Sequence, residues 1–152
     1  MPFLPMLIPL TPMMISDGKS RTVNVLWLAL LFLATATGSV FAYGIKESFA
    51  FTAINMAILL ILALALYAYS LIRKKRLSEL GGLGDALFFA AITPMSAPED
   101  FVRHVLAMLV FSLFLWIALK KRFSLTTIPL VSFCGIPLVS IIFFLAIRQW
   151  II

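Results

Sequence analysis

Residues 51–72 read FTAINMAILLILALALYAYSLI, and Arg73-Lys74-Lys75-Arg76 follow at once. This uncharged run is long enough to cross the hydrocarbon core of a bilayer as a helix, which takes about 20 residues. It must be a helix, because an open strand in lipid leaves backbone groups unpaired. The basic tetrad marks where the span meets water.

The rest of the chain repeats this alternation. Further apolar runs cover Met1 to Ser16, Val23 to Tyr43, Leu83 to Met95, Val102 to Leu119 and Thr127 to Ile147. The first is short and carries Pro2, Pro5, Pro9 and Pro12, which predicts a bent span. The run from Leu83 is also short, with Asp85 near its start and Pro94 near its end. It predicts a kinked or partly re-entrant helix. The expectation is an all-α polytopic membrane bundle of about six transmembrane helices, forming one domain over residues 1–152.

Composition agrees. Of the 152 residues, 63% are hydrophobic and 12% charged, with a mean hydropathy of +1.13. Soluble domains are about half apolar and about a quarter charged. A soluble enzyme, a disordered tail and a disulfide scaffold are thereby excluded. The net charge is +6. Its basic residues sit in clusters between apolar runs, so they speak of membrane orientation and not of nucleic acid. Nine of the twelve Lys and Arg fall in alternate connections, after the first, third and fifth runs. The positive-inside rule places those connections in the cytoplasm and both termini outside. The lone Cys134 permits no internal disulfide and is read as a small packing residue. His104, the one histidine, reads as an interface residue near the outer face.

Six acidic residues remain to be placed. Glu47, Glu99 and Asp100 fall in the outer connections beside Lys46 and Arg103, as solvated surface pairs. Glu79 sits in the basic loop. Asp17 ends one apolar run and Asp85 opens another, both on the cytoplasmic side. Either alone is readily explained as a helix cap, Asp17 for the second helix and Asp85 for the fourth. Two carboxyls at membrane depth on the same side point to chemistry. If they share a site, one holds a proton and the other is ionised. That is the arrangement for peptide hydrolysis: one carboxylate takes a proton from water, and the other carboxyl polarises the scissile carbonyl. Gly81, Gly82 and Gly84 crowd the entry to the Asp85 helix and leave room for a substrate backbone.

Gly82-Leu83-Gly84-Asp85 is a GxGD motif at the start of a membrane helix. With Asp17 in Asp17-Gly18-Lys19-Ser20-Arg21-Thr22-Val23-Asn24, it resembles the type IV prepilin peptidases, membrane aspartic proteases. The stretch Ile128-Pro129-Leu130-Val131-Ser132-Phe133-Cys134-Gly135 is similar to that family's proline- and glycine-bearing last helix. No proline precedes Asn24, and Leu87 stands where the family commonly has lysine. The resemblance implies catalytic roles for Asp17 and Asp85, a pilin-like precursor as substrate and cleavage at the cytoplasmic face of the inner membrane. It implies no metal and no organic cofactor. The zinc-binding methylase region of longer family members has no counterpart in this one-cysteine sequence. The presenilin-type GxGD proteases resemble it less, because their paired aspartates lie on adjacent helices. A small proton- or cation-coupled transporter, an assembly factor using the same Asp pair, and an inactive family member stand as alternatives.

Overall fold

The computed structural model describes residues 2–20, 22–73, 82–123 and 129–151. They form six α-helices: α1 (Leu7–Ser20), α2 (Val25–Tyr43), α3 (Ile45–Arg73), α4 (Leu83–Ala91), α5 (Pro98–Phe123) and α6 (Leu130–Ile151). Short 3-10 turns at Leu4–Met6 and Thr93–Met95 extend α1 backward and α4 forward. No strand occurs among the described residues.

Among the described residues, three helices are long and apolar enough to cross a membrane: Val25–Tyr43, Ile45–Arg73 and Pro98–Leu119. The other apolar segments fall short. At about 1.5 Å per residue, the 14 residues of α1 reach only about 21 Å against a hydrocarbon core of about 30 Å. Leu83–Met95 is also a shorter apolar segment, and within α6 the apolar stretch is Leu130–Leu145. One face of the first, proline-rich run lines the core, while Ile8 and Ile15 on the other face are exposed. Phe3, Met6, Leu10 and Met13 recur every three or four residues and are buried in the core. Around them pack Phe88 and Ile92, Phe101 and Met108, and Val131, Leu138 and Ile142.

The outer helices invert the pattern of a soluble protein. Leu60, Ile61, Leu62, Leu64 and Leu66 of α3 are exposed, while its buried residues are Ser48, Asn55 and Ser70. Apolar side chains outward and polar ones inward is the arrangement that lipid favours and water does not.

Several helix ends differ from the sequence expectation. α3 starts at Ile45, so Lys46 and Glu47 lie in its first turn and not in a connection. Likewise Glu99 and Asp100 occupy the first turn of α5. Acids there oppose the positive end of the helix dipole. The Asp100–Arg103 pair is present at 3.3 Å and exposed. α2 turns into α3 through the single residue Gly44, whose φ of 88° suits glycine. Asn24, not Asp17, caps α2: its side-chain oxygen accepts the Leu26 N–H at 2.9 Å.

Two Thr-Pro pairs lie in or beside the short helices: α1 continues through Pro12, whereas α4 ends before Pro94. Pro12 has no N–H for the Ile8 carbonyl, and the Thr11 hydroxyl, which donates to the Leu7 carbonyl at 3.1 Å, lies 3.4 Å from it. Pro94 has none for Ala90, and the Thr93 hydroxyl donates there at 2.8 Å. The break after α4 is then tied to its neighbours. Thr35 of α2 donates to the Ala91 carbonyl at 2.7 Å. The Asn55 amide of α3 donates to Thr93 and Ser96 carbonyls at 2.7 and 2.9 Å. Replacing Asn55 by Leu strands both carbonyls in an apolar interior. Net loss of stability is about 1–3 kcal/mol, read as a lower thermal midpoint in detergent. An unchanged midpoint would show that these bonds do not hold α4 to α3.

Candidate functional site

The buried stripe of α1 does not end at Met13. Four residues later, at the next core-facing position, stands Asp17, with only 5% of its surface exposed. A carboxylate in that place must be hydrogen-bonded. Its donors come from α6, 115 residues away. The Ser132 N–H donates to Oδ2 at 2.9 Å, and the Ser132 hydroxyl lies 3.1 Å from the same oxygen. Ser132 is in the first turn of α6, where backbone N–H groups lack helical partners. Asp17 thus caps a helix from outside it.

Small residues let α1 and α6 approach this closely. A methyl group on Gly18 would lie 3.3 Å from the Ser132 hydroxyl oxygen. One on Gly135 would run into the Met14 side chain. The Ser132 hydroxyl also donates to the Met14 carbonyl at 2.7 Å. Cys134, wholly buried, donates to the Met108 carbonyl at 3.6 Å and packs as a core residue.

Asp85 is the third residue of α4 and half-buried. Its Oδ2 accepts the Gly82 N–H at 3.1 Å, which caps its own helix. The expected cap role is therefore present at Asp85, whereas at Asp17 the capped helix is α6. Gly82 has ordinary extended backbone, φ −82° and ψ 151°, so no special conformation requires glycine there. At Gly84 a methyl would make ordinary contact with Val23, 3.5 Å away. A methyl on Gly82 would likewise make ordinary contact with Asp85 Oδ2, 3.4 Å away. Gly81 lies outside the described residues.

Both carboxylates occupy one end of the bundle. The Ser16 hydroxyl donates to the Thr22 carbonyl at 2.8 Å, folding the connector back over the end of α1. Val23, next in the connector, rests against Gly84, the neighbour of Asp85. Each carboxylate takes the hydrogen bonds described above from a different helix N-terminus. The structure adds Ser132 to the site, a residue that sequence reasoning does not single out. Among the described residues no cluster of His, Cys, Asp and Glu could hold a metal ion. Comparison with models of known protein families, with curated proteins and with solved structures finds no match.

Proposed function

We propose that this chain is a membrane aspartic endopeptidase of prepilin-peptidase type. It would remove the leader of a pilin-like precursor at the cytoplasmic face of the inner membrane. The observation that supports this most is the place of Asp17. A core stripe of an apolar bundle terminates in a carboxylate, at the same end as the GxGD carboxylate Asp85. Two acids at membrane depth are costly, and function is the default reason for their presence. The six-span arrangement belongs to this reading too: α1 with its leading turn, α4 with its trailing turn and α6 would be the spans beside the three long helices, the short ones matched by a locally thinned bilayer.

The chemistry follows from two carboxyls with one proton between them. The ionised Asp takes a proton from water as its oxygen bonds to the scissile carbonyl carbon. The protonated Asp gives its proton to the carbonyl oxygen. The tetrahedral adduct then collapses: the first Asp gives the proton it took to the leaving nitrogen as the C–N bond breaks, a diol hydroxyl returns a proton to the second Asp as the carbonyl re-forms, and leader acid and mature amine separate. A bulky residue beside Asp85 would block the substrate backbone, which fits Gly82 and Gly84.

The test is processing in membranes. A pilin-like precursor with a short basic leader is co-expressed with the wild-type chain and with the Asp17→Asn/Asp85→Asn double variant. Shortening of the precursor with the first and not the second supports the reading. Failure of the wild type to process a panel of such precursors, or equal processing by both chains, overturns it. In that event the carboxylates act as caps or as a cation site.

A further inference from the structure

Ser132 touches Asp17 through two groups, and they differ in kind. Its N–H is held by the first turn of α6 and points at Oδ2 from 2.9 Å. Its hydroxyl has one hydrogen and two partners on α1: the Met14 carbonyl at 2.7 Å and Asp17 Oδ2 at 3.1 Å. A hydroxyl is both donor and acceptor, and its hydrogen rotates to suit. Toward an ionised Asp17 the hydrogen turns to Oδ2. When Asp17 is protonated on Oδ2, the hydrogen turns to the Met14 carbonyl, and the hydroxyl oxygen accepts from the carboxyl. Either state is hydrogen-bonded without movement of the backbone. Oδ1 accepts no hydrogen bond among the described residues, and it is not one of the fully buried unpartnered atoms. Oδ1 is thus the oxygen that Ser132 leaves untied.

We infer that Ser132 is a positioning residue for Asp17, holding Oδ2 in both protonation states so that Oδ1 is presented to water or substrate. This inference rests on the peptidase reading for its kinetic consequence, but not for its structural one. The hydroxyl is the informative part. Ser132→Ala keeps the N–H and the helix cap, so the fold survives. Ser132→Thr keeps the hydroxyl.

Two measurements on the full-length chain in membranes test this. The first is infrared spectroscopy of the Asp17 carboxyl at low and high pH, its bands assigned as those lost in Asp17→Asn. Ser132→Ala moves the bands of both states, and Ser132→Thr returns them toward wild type. The second is precursor cleavage. Ser132→Ala lowers kcat about tenfold with KM little changed, as loss of one hydrogen bond to a charged group implies. Ser132→Thr retains most of kcat. Asp17 bands unmoved by Ser132→Ala overturn the inference, whether or not the chain cleaves. A merely structural role would lower the thermal midpoint and leave bands and kcat of the folded protein in place, which also overturns it. Absence of cleavage by the wild type would sink the peptidase reading alone, because the infrared result still decides the part played by Ser132.

Discussion

Replacing Asp17 by Asn is expected to leave the protein folded and, on the proposed peptidase function, to lower precursor cleavage about 10³-fold or more. The two halves of that expectation have separate causes. The amide is nearly isosteric, and its oxygen still accepts the Ser132 N–H now bonded at 2.9 Å. What is lost is the added strength of a charged acceptor, about 1 kcal/mol, so α1 stays docked on α6. The chemistry has no such substitute, because an amide neither takes a proton from water nor holds one for the carbonyl. Asp85→Asn behaves alike: its amide oxygen can still accept the Gly82 N–H and cap α4. Asp17→Leu is a different experiment, since it leaves the Ser132 N–H buried without a partner at a cost of about 1–3 kcal/mol. Thermal midpoints measured beside cleavage rates separate these effects. Wild-type rates in both Asn variants would reduce the two carboxylates to helix caps.

Gly38→Val is expected to produce the largest loss of stability at a single position. Gly38 is on α2, where the chain start crosses it. A Cβ there would lie 2.7 Å from the Pro2 carbonyl oxygen and 2.8 Å from a ring carbon of Phe3. The first is backbone and has little freedom to move aside. The second belongs to a ring only 2% exposed in the core. Overpacking a core costs about 1–3 kcal/mol, and a branched side chain against a backbone atom sits at the upper end. The thermal midpoint in detergent should fall by on the order of 10 °C. Because this segment leads into α1, cleavage should fall with it. A midpoint within a degree or two of wild type would mean that α1 does not need its close seat on α2.

Much of this architecture is legible in the order of residues, for a physical reason. Lipid demands long uncharged helices, and residues 25–43, 45–73 and 98–119 announce themselves by composition alone. The proline-rich beginning is less legible. Its length and hydropathy suggest a weak span, yet its stripe of Phe3, Met6, Leu10 and Met13 lines the core. Composition in a membrane protein does not separate a residue that faces lipid from one that faces protein, because both surroundings are apolar. Polar residues separate them better. Asn55, Ser48 and Ser70 mark the inward face of α3, as Thr35 and Ser39 do on α2.

The candidate site divides along the same line. Asp17 and Asp85 stand out in the sequence because charge is scarce in it, and the cap on Asp85 is local, three residues from Gly82. The partner of Asp17 was decided by tertiary structure. Nothing in a run of Leu, Val, Ser, Phe and Cys marks Ser132 as the group that meets a carboxylate 115 residues earlier. That pairing exists because Gly18 and Gly135 let two helices approach, and because a helix start left an N–H to satisfy. The sequence by itself determined that the chain is helical, suited to lipid, and sparing with its acids. Which face of the first helix is buried, and which oxygen of Asp17 is tied to Ser132, depended on packing between segments far apart in the chain, and only the folded structure contains it.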